Sequence, residues 1–185
     1  MSRELKLGPA AQKVLLLLLT GLALGLTRSP RQYFRILKNF QKSWKQIDHK
    51  KLHRVVKTLD AKGLIVAKSK RSYVQISLSP QGQKWATRYK IERMKIPKPS
   101  KWDGQWRIVI FDIPEERKKA RDAFARALKN LGFYQLQKSV FAYPYECRKE
   151  LDIVIEFFEI KPYINCIAAH KIDSDIELKR YFDLS

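Results

Sequence analysis

Two prolines in residues 95–100 divide this chain of 185 residues into two parts. Prolines at this spacing disfavour helix and give an extended, semi-rigid connection. The charge changes at the same place: residues 1–100 carry 23 Lys and Arg against 4 Asp and Glu, a net of +19, whereas residues 101–185 carry 15 against 14, a net of +1. The sequence therefore predicts two domains of different chemistry, residues 1–96 and 106–185, joined by a linker over residues 97–105.

The first part has the predicted order helix, helix, helix, hairpin, helix. Residues 14–26 are almost wholly apolar, but a membrane-spanning helix needs about 20 residues, so this run predicts a buried first helix over residues 9–24. The later elements are amphipathic helices over residues 30–47 and between Asp48 and Gly63, a hairpin of residues 64–67 and 73–78, and a helix over residues 81–94. This order is that of a winged helix-turn-helix.

The third helix of this part carries a basic face opposite an apolar stripe. We expect that face to bind duplex DNA, with the basic hairpin tip acting as the wing. The residues concerned are Lys50, Lys51, His53, Arg54 and Lys57 on the helix and Lys68, Lys70 and Arg71 at the tip. Arg54 is the candidate for a base contact, because a guanidinium can be bidentate on guanine, whereas lysines suit phosphates. The alternative is a solvated basic face.

The second part has the predicted order strand, helix, strand, strand, helix, strand, followed by a short helix. This order is typical of a ferredoxin-like domain, so the chain as a whole is expected to be α+β. Open sheet edges need cover, and residues 140–145 and the strand that begins at Tyr163 are candidate surfaces for a homodimer. The two cysteines, Cys147 and Cys166, lie in apolar elements, which is typical of reduced thiols in a cytoplasmic protein.

Asp112 is the one residue of the second part that is placed for chemistry, because it follows an apolar strand at a turn into a helix. Magnesium usually takes one or two carboxylates together with substrate phosphate, so a twofold dimer could supply a second copy of Asp112. The alternative is that Asp112 satisfies backbone donors at the start of the following helix.

Residues 101–115, which contain the run Trp-Arg-Ile-Val-Ile-Phe-Asp-Ile-Pro-Glu, resemble the start of the central domain of PaaX-like transcriptional repressors. Residues 131–141, Leu-Gly-Phe-Tyr-Gln-Leu-Gln-Lys-Ser-Val-Phe, continue the resemblance. Repressors of this type have a winged helix followed by a domain shaped like the CRISPR-associated endonuclease Cas2. Asp112 matches the metal-binding Asp of that endonuclease family, but Ala142 stands where the family has Glu.

The resemblance and the charge pattern together predict a transcriptional repressor that binds duplex DNA through its winged helix and forms a homodimer through its second domain. Neither a membrane nor a cofactor is expected, and the predicted location is the cytoplasm. Two alternatives remain open. One is a magnesium-dependent endonuclease or CRISPR adaptation component that uses Asp112, and the other is an architectural DNA-binding protein.

Overall fold

A computed structural model describes residues 7–19, 24–26, 49–69 and 74–184 of the chain. The chain divides into two units, Met1–Lys90 and Ile91–Ser185. Both units combine helices with an antiparallel sheet, which confirms the predicted α+β class. The division falls ahead of the Pro-containing segment, and Ile96, which the sequence assigned to the first domain, is buried in the core of the second unit.

The first unit contains three described helices and a three-stranded antiparallel sheet. The helices are α1 (Pro9–Leu19), α2 (His49–Ala61) and α3 (Pro80–Arg93), and the strands are β1 (Leu24–Leu26), β2 (Ile65–Ser69) and β3 (Val74–Leu78). Strand β3 lies between β1 and β2. Strands β2 and β3 form the predicted hairpin, with Ile65 opposite Leu78.

The first helix is shorter than the sequence predicts, because α1 ends at Leu19. Residues 24–26 instead form β1, in which Leu24 lies opposite Ile76 of β3. This long-range strand pairing outweighs the helix propensity of leucine. The helix expected over residues 30–47 lies outside the described residues. Within the described ranges, each helix is too short or too polar to cross a bilayer.

Ser79 and Gly82 hold the start of α3 against the end of α2. The Ser79 hydroxyl donates to the Gly63 carbonyl at 2.6 Å and accepts the Gly82 N–H at 3.0 Å, which is the pattern of a helix N-cap. Gly63 has φ of +64°, a conformation that glycine adopts without strain. These hydrogen bonds therefore hold the turn after α2 in one conformation, and this positions the start of the β2–β3 hairpin relative to α2.

The second unit is a four-stranded antiparallel sheet with strand order β5-β6-β4-β7. Its strands are β4 (Trp106–Phe111), β5 (Tyr134–Gln137), β6 (Val140–Tyr143) and β7 (Ile164–Ala169), and its helices are α4 (Lys118–Asn130), α5 (Arg148–Phe158) and α6 (Asp175–Phe182). Along the chain the first six elements follow the order β-α-β-β-α-β. The predicted ferredoxin-like arrangement is therefore confirmed.

Each face of this sheet is covered by different helices. One face packs on α4 and α5, and the other packs on α6. Strand β6 lies between β5 and β4, and its Phe141, Ala142 and Tyr143 are buried. The expectation that residues 140–145 form a dimer surface is therefore wrong, because a central strand offers neither a free edge nor exposed side chains.

Candidate nucleic-acid interface

Helix α2 buries one stripe and exposes basic residues on the rest of its surface. Leu52 and Leu59 are fully buried against α1 and the sheet, and this anchors the helix. Lys51, Arg54 and Lys57 are exposed. The sequence-predicted arrangement of an apolar stripe opposite a basic face is therefore present for these three cations. The rotation of about 100° per residue in a helix separates the two faces.

The remaining predicted DNA-binding residues are distributed unevenly. His53 is half-buried on α2, and Lys68 is exposed on β2, opposite Gln75 of β3. Lys50 belongs to α2, but its side chain lies outside the described part of the structure, as do Lys70 and Arg71 of the hairpin tip. The described part of the β2–β3 hairpin thus contributes one exposed cation of the predicted set, Lys68.

A groove of about 360 Å³ lies between the start of α1 and α2. Residues 8–11 line one side, and Lys51, Arg54, Val55 and Thr58 line the other. The Thr58 hydroxyl donates to the Arg54 carbonyl at 2.9 Å. Lys51 and Arg54 therefore lie on one flank of α2, whereas Lys57 is outside the lining. This groove could not be predicted from sequence patterns, because it depends on how α1 packs against α2.

Asp112 does not perform the helix-capping role that the sequence offered as an alternative. Its backbone N–H donates to the Tyr163 carbonyl at 3.0 Å. The starts of the 3-10 turn Glu115–Arg117 and of α4 have no side-chain cap. Asp112 is exposed, and its carboxylate makes no hydrogen bond or ion pair with another described residue.

The residues around Asp112 do not fit a Cas2-type metal site either. Ala142, at the position of the Glu, is fully buried opposite Ile108 and packs in a cluster with Trp106 and Leu178. Among the described residues, no three His, Cys, Asp or Glu side chains are grouped so as to hold a metal ion. Within one chain Asp112 is therefore a lone carboxylate, and no catalytic step is derived from it.

A cavity of about 300 Å³ in the second unit brings the two cysteines together. Its lining includes Cys147, which directly precedes α5, Leu151 of α5, and Cys166 and Ala168 of β7. Burial raises the pKa of the Cys147 thiol to about 12, so this thiol is protonated at neutral pH and is not a nucleophile. Both cysteines are free, as the sequence predicts.

Arg107, which also lines that cavity, has a structural role because its guanidinium is hydrogen-bonded within the protein. Its guanidinium donates to both carboxylate oxygens of Asp103, at 2.7 and 2.5 Å, and to the Pro144 carbonyl at 3.0 Å. The hydrogen bond from Arg107 holds the pKa of the Asp103 carboxyl below its usual value. The neighbouring Glu146 accepts the Arg148 N–H at 2.9 Å and so caps α5. These charges stabilise the start of β4 and of α5.

The sequence of the second unit matches a family model. Residues 99–179 match the PaaX protein central Cas2-like domain. The second unit is therefore similar to that domain. The match contains both segments, residues 101–115 and 131–141, on which the resemblance rested, and the predicted relationship is therefore confirmed. The match ends within α6 and so covers nearly all of the ferredoxin-like sheet and its helices. No curated protein matches the chain.

Proposed function

We propose that this protein is a PaaX-like regulator of transcription that binds duplex DNA through its first unit. The observation that carries the proposal is the exposed basic face of α2 above its buried apolar stripe. The first hundred residues hold a net charge of +19, and a basic domain of this kind is typical of proteins that bind nucleic acid. The match to the PaaX central Cas2-like domain supports the regulatory class.

The elements of the first unit support a winged helix as the DNA-binding fold. Helix α2 is followed directly by the hairpin β2–β3, and β1 adds a third strand to that hairpin. In winged-helix proteins the helix before the hairpin enters the major groove. Arg54 is then the candidate for reading a base, and Lys57 and Lys68 are candidates for phosphates, together with Lys50, Lys51, His53, Lys70 and Arg71.

A homodimer that forms through β7 would pair two such units. Strand β7 is at one edge of its sheet, contains neither a charge nor a proline, and exposes Ile167 to 49%. The other edge, β5, is interrupted by an irregularity between Gln135 and Gln137 and is followed by Lys138. Bulges and lysines are devices that protect an edge from pairing. An antiparallel β7–β7 contact would be twofold and would match two DNA half-sites.

The test is DNA binding by the full chain and by single variants. Selection of bound duplexes from a random pool should give a palindromic motif, and binding should weaken with a log-log salt slope of about −0.9 per phosphate contact. Arg54→Ala should cost about 1–3 kcal/mol on the preferred site and relax its sequence preference, whereas Lys57→Ala should weaken all duplexes alike.

Lys161→Ala, an exposed residue of the second unit, is the matched control and should bind like the wild type. A wild type that binds no duplex, or binds with no salt dependence, contradicts the proposed function. Strong binding without any sequence motif would favour the architectural class instead.

A further inference from the structure

The second unit has a net charge close to zero but contains one strongly basic helix. Helix α4 contains five Lys and Arg and one Asp, a net of +4. The rest of residues 101–185 contains 10 basic against 13 acidic residues, a net of −3. The net charge of +1 for this part of the chain is thus the sum of two opposite distributions, and only α4 is positive to this extent.

The basic residues of α4 lie on its solvent side. Phe124, Ala127 and Leu128 are buried in the core, whereas Lys119, Arg126 and Lys129 are exposed. With 3.6 residues per turn, these three cations project from the side opposite Phe124 and Leu128. Over their ten-residue separation, Lys119 and Lys129 lie about 15 Å apart along the axis.

The basic residues of α4 also differ in whether they form ion pairs with acidic side chains. Lys118 and Arg121 share the carboxylate of Glu115, at 3.4 and 2.8 Å. Lys119, Arg126 and Lys129 make no ion pair with any residue in the described ranges. Helix α5 offers a contrast, because Arg148 pairs with Asp152 at 3.0 Å and the helix as a whole has more acids than bases.

We propose that Lys119, Arg126 and Lys129 of α4 bind backbone phosphates of the duplex that the first unit binds. This inference rests on the proposed function, because DNA held by the first unit presents phosphates to the second at a high effective concentration. Each strand of duplex DNA carries one charge per about 3.4 Å of the helix axis, so a row about 15 Å long on α4 spans enough phosphates of one strand for three contacts. An unspecific solubilising charge would not concentrate on one helix of an otherwise acidic unit.

The experiment compares two triple variants of the full chain that remove the same charge. The test variant is Lys119→Gln, Arg126→Gln, Lys129→Gln, and the control variant is Lys149→Gln, Lys161→Gln, Lys171→Gln, all of them exposed positions of the second unit. The duplex contains the selected site with long flanks, and affinity is measured between about 50 and 200 mM salt. Circular dichroism melting checks that both variants are folded.

The test variant should show a salt slope less steep by about 2–3, because each lost phosphate contact removes about 0.9 from it. Between about 50 and 200 mM salt, each phosphate contact weakens the affinity by about 3.5-fold, so each lost contact removes one such factor from the salt-dependent fall in affinity. The DNA motif that is selected should stay the same. The control variant should shift the slope by less than one contact.

Equal slopes for the two variants, with wild-type DNA binding intact, overturn this inference but leave the proposed function standing. That result would also be the outcome if an acidic protein were the partner of α4. A wild type that binds no DNA overturns the proposed function and this inference together.

Discussion

Gly82 lies in the first turn of α3, at a position where a side chain has no room. A Cβ built on Gly82 would lie 1.8 Å from the Leu64 carbonyl oxygen and 2.8 Å from the Leu64 carbonyl carbon. Both are backbone atoms, so no rotamer change relieves the overlap. The same Leu64 carbonyl accepts the Ser79 N–H at 3.1 Å, and a shift of either segment would therefore weaken the junction of α2, the hairpin and α3.

Gly82→Ala is expected to destabilise the first unit, although helix propensity alone predicts a gain of up to about 1 kcal/mol. Overpacking costs about 1–3 kcal/mol, and the overlap with backbone atoms places Gly82→Ala at the upper end, so about 3 kcal/mol of cost less about 1 kcal/mol of gain leaves a net loss of about 2 kcal/mol. For a unit of this size, that corresponds to a fall in Tm of about 10 °C. The assay is thermal unfolding followed by circular dichroism, with urea denaturation at 25 °C as a second measurement.

The control is Gln83→Ala, an exposed neighbour on the same helix, which should change stability by only a few tenths of a kcal/mol. Gly82→Ala should also weaken DNA binding at temperatures at which the wild type is fully folded, because the hairpin and α2 meet at this junction. A Tm for Gly82→Ala equal to or above that of the wild type would refute the close approach of α3 to Leu64.

Three further outcomes are expected. Asp112→Asn should leave Tm unchanged, because the Asp112 carboxylate has no described partner. Neither the variant nor the wild type should cleave DNA or RNA with Mg²⁺ or Mn²⁺. Cleavage by the wild type that the variant loses would instead indicate a nuclease. The Asp103 carboxyl has a folded pKa below its ordinary value of 3.8. Its contribution to folding stability is therefore complete above pH 3.8 and is lost as pH falls through the folded pKa. Thermal melts between about pH 2 and pH 5 should show a steeper fall in Tm with acid for the wild type than for Asp103→Asn. Light scattering at tens of micromolar, roughly the range for a stable interface, should give the dimer mass that we propose for the wild type and the monomer mass for Ile167→Lys; equal masses for the two would exclude β7 as the interface.

The fold of the second unit could be predicted from local patterns, because each of its elements carries its own signal. The strand Trp106–Phe111 is apolar on both faces, and both surfaces of the sheet are indeed covered. The first helix could not be delimited in the same way. Residues 24–26 have no strand pattern of their own, and their structure is set by the edge of β3, which lies about fifty residues later in the chain.

The candidate site shows the same division between local and long-range information. Helical periodicity was enough to separate Leu52 and Leu59 from Arg54 and Lys57. The grouping of Arg54 with Lys51 in a groove beside residues 8–11 depends on the packing of α1 and α2, which no local pattern encodes. Helical periodicity applied to residues 118–130 could have revealed the basic face of α4. The net charge of the second part did not show this face, because the acidic residues elsewhere in that part offset it.

Within one chain, the surroundings of Asp112 favour the regulatory over the enzymatic interpretation. A carboxylate that serves a metal needs neighbouring oxygen ligands, and the place of the second acid is filled by Ala142 inside the sheet, packed with Trp106 and Leu178. A glutamate at this buried position would have to lose its water without a partner, at a cost of several kcal/mol. In the second unit, core packing thus occupies the position at which the endonuclease family has a charged residue. Among the described residues, the basic surfaces that we propose to function lie on α2 and α4, and a basic surface attracts phosphates and repels metal ions.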